Sequence, residues 1–343
     1  MGLNEKFFKS ADSAFNPRDH FKAFVYANTG TSTALSVGFA PDVAWFKERN
    51  GSNNHQLYDT IRGDDFALFP NLSDAQNNYS THPAGDLSPT LTSTGITTPS
   101  VRNNGLNRSG GSYVAWCWNA PTDESIGASG SRVASTVKKN VAAGFSMVRY
   151  TGNGSNGTVG HGLDSAPELI IAKKYDGTNS WVVRVEGLGN GYLTLNQSVP
   201  YSSTTLWDNP NANTFAYTHP ANGKDSNKNY IAYCFHSITG YQKIGTYNGS
   251  GGANKQIVTG FQPSYLLIKN YTNTGSTGWA ILDTSRDGTT DNGNALFASS
   301  GIAEWGASST AINIDFTSTG FTIQNGYVVV NGGSDSYLYL AIA

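Results

Sequence analysis

Tyr113-Val-Ala-Trp-Cys-Trp118, Tyr230-Ile-Ala-Tyr-Cys-Phe235 and Tyr337-Leu-Tyr-Leu-Ala-Ile342 are three versions of one apolar, aromatic hexapeptide. Working back from each, a proline opens an apolar run that ends in lysine: Pro41-Asp-Val-Ala-Trp-Phe-Lys47, Pro167-Glu-Leu-Ile-Ile-Ala-Lys173 and Pro263-Ser-Tyr-Leu-Leu-Ile-Lys269. The spans from Pro41 to Tyr113, Pro167 to Tyr230 and Pro263 to Tyr337 are 72, 63 and 74 positions. Before each proline lies an aromatic-rich run with a polar turn, at Phe24–Gly30, Met147–Gly154 and Ile244–Ser250. One supersecondary unit has therefore been copied three times. Copies one and three are the closer pair. They share Thr92-Ser-Thr-Gly-Ile-Thr97 with Thr317-Ser-Thr-Gly-Phe-Thr322, and Asp59-Thr-Ile-Arg-Gly63 with Asp283-Thr-Ser-Arg-Asp-Gly288.

Short apolar and aromatic runs alternate with Gly, Asn, Asp and Ser clusters in every copy, which is the pattern of strands and turns. In copy one this predicts strands near 22–27, 33–38, 42–48, 55–60, 66–69, 90–97 and 112–118. The expected fold is all-β: three tandem β-sandwich repeats, jelly-roll or lectin-like, with a short N-terminal arm. The expected division is an arm at 1–20, repeats at 21–118, 141–239 and 240–343, and a linker at 119–140. Such a chain holds either three small cores or one larger core that the copies share. Because His236–Gly240 leads straight into Tyr241, copies two and three are expected to dock closely while copy one keeps more freedom. Ser73–Gln76 and Ile302–Trp305 could each form one helical turn, and Gly152-Asn-Gly-Ser-Asn-Gly157 reads as a tight hairpin.

Alternation along the closing strand puts Val114, Trp116 and Trp118 on one face and Tyr113, Ala115 and Cys117 on the other. Cys117 and Cys234 take the same repeat position, where copy three has Ala341, so both are expected as small, buried, free thiols in separate cores.

Charged residues make up only 13% of the chain, about half the usual share. The surface must be built from Asn, Ser, Thr, Gly and Tyr. That composition suits contact with sugars or proteins through hydrogen bonds and aromatic faces. A net charge of −2, with no basic cluster longer than Lys138-Lys139, leaves no footprint for nucleic acid. No apolar stretch reaches the length of a membrane helix, so no membrane insertion is expected. The first ten residues lack the apolar core of a secretory signal, and Lys6 occupies the place a myristoylation motif gives to Ser or Thr. Synthesis in a cytosol without cleavage is the expectation.

Signals for catalysis are weak. The Asp59/Arg62 and Asp283/Arg286 pairs recur in two copies and are reshuffled in the third to Arg184-Val-Glu-Gly187, which points to turn closure by a charge-assisted bond. The carboxylates sit mostly in turns, and no pair marks a glycosidase cleft. Thr81-His-Pro-Ala84 and Thr218-His-Pro-Ala221 lie at different distances from their closing tyrosines, and no histidine shows metal-ligand spacing. There is no Gly-x-Ser-x-Gly elbow and no Walker loop. No catalytic residue, cofactor or metal is expected, and the chain reads as a non-enzyme.

Aromatic residues are the best binding candidates. Trp45, Trp116, Trp118, Trp181 and Trp279 lie on strands and are assigned to cores. Tyr79, Tyr201, Trp207, Tyr271 and Trp305 lie in loops beside Asn, Asp and Ser, where they could stack on sugar faces or pack on a neighbouring chain. Phe7, Phe8 and Phe15 stand among polar residues of the arm and are candidates for docking onto a partner.

The turn Tyr150-Thr-Gly-Asn-Gly-Ser155, the run Gly160-His-Gly-Leu-Asp-Ser-Ala-Pro-Glu168, the strand Tyr230–Phe235, and Gly260-Phe-Gln-Pro263 with Leu267-Ile-Lys-Asn270 together resemble a tandem-repeat family of virion structural proteins. That family is encoded by marine and cyanobacterial tailed phages, often near tail-fibre genes, and the resemblance covers about residues 21–343. Copy one departs from it where Thr29-Gly-Thr-Ser-Thr33 replaces the Gly-Asn turn. The resemblance carries over no catalytic residue. It implies a virion protein; with the low charge, the absent signal peptide and the hydroxyl-rich surface, the expectation is a non-enzymatic component of the tail adsorption apparatus, a tail fibre or receptor-binding protein assembled in the host cytoplasm. Loops would contact host cell-surface polysaccharide, the arm would contact other virion proteins, and repeated weak sites would act by avidity. Open strand edges favour a homo-oligomer. The alternatives are a capsid or tail decoration or adaptor protein that makes only protein contacts, and a polysaccharide-degrading tailspike.

Overall fold

A computed structural model of the protein describes residues 15–221, 223–273, 275, 277–291, 293–305 and 312–343. Phe7 and Phe8 lie outside the described residues. The fold is all-β, with only a single 3-10 turn at Pro17–Asp19 and a four-residue helix α1 at Thr284–Asp287 among the described residues.

Unit one contains β1 (Phe21–Asn28), β2 (Ala34–Ser36), β3 (Val43–Glu48), β4 (Gln56–Asp59), β5 (Gly63–Leu68), β6 (Asn77–Asn78), β7 (Thr90–Leu91), β8 (Gly95–Thr97) and β9 (Gly111–Trp118). Unit two contains β10 (Thr122–Ile126), β11 (Arg132–Val133), β12 (Ser135–Asn140), β13 (Phe145–Thr151), β14 (Gly157–Gly160), β15 (Leu169–Lys174), β16 (Val182–Val185), β17 (Leu193–Thr194), β18 (Thr214–Tyr217) and β19 (Asn229–Phe235). Unit three contains β20 (Gln242–Asn248), β21 (Lys255–Val258), β22 (Tyr265–Asn270), β23 (Trp279–Asp283), β24 (Leu296–Phe297), β25 (Ile314–Thr317), β26 (Gly320–Ile323) and β27 (Ser336–Ile342).

Each unit pairs a large sheet with a small three-stranded one. The large sheets run β1-β9-β3-β4-β5-β6, β10-β12-β13-β19-β15-β16-β17 and β20-β27-β22-β23-β24, and the small ones β2-β8-β7, β11-β14-β18 and β21-β26-β25. In all three the closing strand lies between the opening strand and the lysine-ended strand. Register is the same too: Val43 faces Trp118, Leu169 faces Phe235 and Tyr265 faces Ile342. The repeated hexapeptide therefore occupies an interior strand of each sheet, where both faces are covered and an unbroken apolar run is needed.

Alternation decides which core each residue enters. Tyr113, Ala115 and Cys117 face a core private to unit one; Tyr230, Ala232 and Cys234 face that of unit two; Tyr337, Tyr339 and Ala341 face that of unit three. The other faces converge: Val114, Trp116 and Trp118, Ile231, Tyr233 and Phe235, and Leu338, Leu340 and Ile342 all enter one central core. The three units form a ring around it. At its centre a cavity of about 30 Å³ is lined by Val43, Trp118, Phe145, Tyr265, Leu267 and Leu340, among others. It could admit one water, yet its apolar walls offer that water no hydrogen-bond partner. Three small cores and one shared core thus coexist. Cys117 and Cys234 are buried free thiols, one in each of two private cores.

Four local expectations are corrected. Residues 119–140 are not a linker: β10 and β12 extend the sheet of unit two by pairing with each other and with β13, and Val137 is buried in its core. Alternation over Ser135–Asn140 was masked by the polar residues around it. The Gly152–Gly157 turn does not make a hairpin, because β13 and β14 belong to different sheets. Neither Ser73–Gln76 nor Ile302–Trp305 is helical; among the described residues the one α-turn follows β23, where Gly288 (φ 81°) ends it. Finally, unit one is not the freer unit, since it is bonded to both neighbours.

Candidate functional site

The seams between units must be understood first, because they claim most of the candidate residues. His55, Trp181 and Trp279 occupy one repeat position at the entrance to β4, β16 and β23. Each crosses to the neighbouring unit. Trp181 Nε1 donates to the Phe69 carbonyl (3.0 Å), Trp279 Nε1 to the Thr194 carbonyl (2.8 Å), and His55 Nε2 to the Phe297 carbonyl (3.0 Å). Trp45 Nε1 donates to His55 Nδ1 (2.9 Å), so the His55 proton resides on Nε2 and the ring mimics an indole. Burial, helped by the positive charge of Lys47, pushes His55 down to about 3.

A backbone bond closes each seam at a second level: Gln76 N to Tyr175 O (2.9 Å), Tyr201 N to Tyr271 O (2.8 Å) and Glu304 N to Arg49 O (2.7 Å). The Asp/Arg pairs do close turns, with Arg62 Nε to Asp59 Oδ2 and Arg286 Nε to Asp283 Oδ2 both at 2.7 Å. They also serve the seams. Tyr233 of unit two donates to Asp59 (2.6 Å) and Trp116 of unit one to Asp283 (2.9 Å). At the remaining seam the equivalent positions are Val185 and Leu340, both in the shared core, so acceptor and donor have been replaced together. Arg286 and Arg49 both bond Glu304 at the seam of units three and one.

Lys47, Lys173 and Lys269, each one residue before the end of β3, β15 and β22, are wholly buried. Lys173 Nζ donates to the carbonyls of Ser73, Lys174, Gly177 and Asn179 at 2.8–3.2 Å, and Lys269 Nζ reaches Ser198 O across its seam (3.3 Å). Burial lowers Lys47 and Lys269 to about 8, and burial with Lys174 nearby lowers Lys173 to about 7. Carbonyl cages of this kind tie loops together and leave no lone pair facing solvent.

The loop aromatics divide accordingly. Trp207 is buried in the core of unit two against Phe215, which corrects its reading as a surface contact. Tyr201 and Tyr271 sit on the seam of units two and three, half-buried against the shared core, with the Tyr201 hydroxyl accepting from Gly191 N. Trp305 is half-buried between Phe297 and Tyr327, beside the seam of units three and one. Tyr201 and Tyr271 thus pack at a seam between repeats, whereas Trp207 and Trp305 pack within their own. Phe15 is 42% exposed, stacked on His20 at 4.4 Å and edge-on to Tyr241 at 5.0 Å.

Tyr79 lines a concavity. This hollow in unit one, about 410 Å³, is bounded by Asn53, Asn54, Tyr79, His82, Arg102 and Asn104, over a floor of Gln56 and Asn103. The floor is rigid: Gln56 Nε2 donates to Asn103 Oδ1 (2.9 Å), Asn103 Nδ2 donates back to Gln56 Oε1 (3.0 Å), and Tyr58 OH also donates to Gln56 Oε1 (2.7 Å). Asn107 fixes the loop from behind by bonding the carbonyls of Pro99 and Val101. On the rim, Arg102 Nε donates to Asn104 Oδ1 and Asn71 Nδ2 donates to Asn54 Oδ1. His82 Nδ1 accepts from Ala84 N, a turn repeated by His219 and Ala221. Tyr79 packs edge-on against Phe69 and His82, and burial raises its hydroxyl pKa. Sequence reading singles out Tyr79 and passes over the asparagines that line the hollow with it. Their signal is the density of Asn at 53–54 and 103–107, which spacing alone does not bring together.

Among the described residues, no group of three His, Cys, Asp or Glu side chains could hold a metal ion, and no helix is long and apolar enough to cross a membrane. A family model described as a domain of unknown function (DUF7483) matches residues 16–343, and the chain belongs to that family. No curated protein and no solved structure matches it.

Proposed function

We propose that this member of the family is a non-enzymatic structural protein of a phage virion, part of the tail adsorption apparatus, which contacts host surface glycan through the hollow on unit one. The observation that carries the reading is the placing of Tyr79 with a ring of amides and the Arg102 guanidinium over a floor held by reciprocal Gln56–Asn103 hydrogen bonds. A sugar offers an apolar C–H face and vicinal hydroxyls. An aromatic ring answers the first, and planar amide and guanidinium groups answer the second. Preorganisation lowers the ordering cost that weak polar contacts must overcome. The low charge of the chain fits a neutral, hydroxylated ligand, and the sequence resemblance supports a place in the virion.

Binding to an array of bacterial surface glycans, followed by calorimetry on any hit, tests the site. The intact chain should bind with a Kd in the micromolar to millimolar range, and Tyr79→Ala and Arg102→Ala should each weaken binding at least tenfold at unchanged circular dichroism. Absence of binding at millimolar glycan would remove the glycan role and favour a decoration protein. Immunogold labelling of virions addresses placement: gold at the tail supports adsorption, whereas gold over the head overturns it.

A further inference from the structure

β13 and β1 occupy the same repeat position, yet their surroundings differ. On β13 lies β12, antiparallel from Ser135 opposite Tyr150 to Asn140 opposite Phe145. Among the described residues β1 pairs with β9 alone, which leaves its other edge open with Ala27 exposed and Val25 40% exposed.

The same turn leads into both strands. Ala143 N bonds Asn140 O and Gly144 N bonds Val141 O; at the matching positions Asp19 N bonds Asn16 O and His20 N bonds Pro17 O. Across the seam the wall also matches. Thr60 N bonds Asp42 O beside β12, and Thr284 N bonds Ser264 O beside β1, each at 2.9 Å. In unit two Lys138 of β12 reaches across to Asp42 (3.3 Å). In unit one the corresponding space is a slot of about 720 Å³, lined by Lys22 and Ala23 on one side and Gln262, Ser264, Thr284 and Thr289 on the other.

We propose that this slot accepts one extended strand donated by a partner polypeptide, which pairs antiparallel with β1 as β12 pairs with β13. Main-chain bonds supply the affinity and alternate side chains the register. The chemistry of the donor follows from its counterpart. Ser135 and Val137 are buried, so the donor carries small or β-branched residues on that face. Ser264 replaces Asp42 and Arg18 adjoins the slot with Asp19, while the Lys22 ammonium turns away to bond Ser36 O, so the donor carries an acidic residue toward Arg18 where β12 has Lys138. Walls on both sides admit a single extended segment rather than the sheet edge of a second folded copy.

The test uses the intact chain and a peptide of residues 132–141 carrying Lys138→Glu, read by hydrogen exchange and fluorescence anisotropy. The expected result is at least tenfold slower exchange of amides in 21–28, with β20 unaffected, and no effect from a scrambled peptide. Thr289→Trp, at an exposed wall position, should weaken peptide binding at least tenfold without moving the melting temperature. No protection at millimolar peptide overturns the proposal. So does binding seen only after removal of residues 1–14, which would assign the slot to the chain's own amino terminus. Protection of β1 in a peptide-free dimer would assign it to a second copy.

Discussion

At the scale of single residues, the repeat positions show what each site demands, because the three copies answer the same demand differently. His55 stands where Trp181 and Trp279 stand, donating from Nε2 as their indoles do, and only while neutral can its Nδ1 accept from Trp45. Its folded value near 3 lies below the ordinary value of 6.5. Between those limits the unfolded chain takes up a proton that the folded chain refuses, so stability present above about pH 6.5 is lost as pH falls. The urea midpoint should drop between pH 7 and pH 5, and His55→Gln, although less stable at pH 7, should lack that component. Arg184 is a second case. It faces the core of unit two at the position of Tyr58 and Leu282; among the described residues Nε and Nη1 have no partner, while Nη2 bonds Asn209 and the largely solvated Glu186. Replacing a buried cation by an apolar side chain is often stabilising. Arg184→Leu should therefore gain about 1 kcal/mol or more in chemical denaturation.

At the scale of elements, β10 and β12 decide how the 119–140 segment behaves. Backbone groups held in a sheet are poor protease substrates, and Val137 is wholly buried. Limited trypsin digestion should spare Lys138 and Lys139 in the native chain, whereas a true linker would be cut there first. Val137→Asp places an unpaired carboxylate in the core of unit two and should cost about 3 kcal/mol or more, visible as a shifted urea midpoint.

For the whole molecule, the ring sets the unit of folding. Each large sheet buries one face in its own sandwich and the other in the central core, so a single repeat cut free would expose the second face. Trp279 and Lys269 would also lose their partners in unit two. Calorimetry should show one cooperative transition for the intact chain, with calorimetric and van't Hoff enthalpies in agreement. Residues 240–343 alone should be unfolded or aggregated by circular dichroism. Three separate transitions, or a stable isolated repeat, would show that the private cores suffice.

The sequence alone determined the period, the strand class and the two faces of the hexapeptide, because period-two alternation and turn residues are local signals. It also placed the small residue shared by Cys117, Cys234 and Ala341. Only the tertiary structure decided where those faces go. Nothing in Val114, Trp116 and Trp118 distinguishes a face that meets its own sandwich from one that meets two neighbours, since both demand the same apolar side chains. The same ambiguity hid the site. Trp207 and Tyr79 are both loop aromatics by sequence, and long-range closure put one inside a core and the other at the edge of a hollow whose amides come from segments some fifty residues apart.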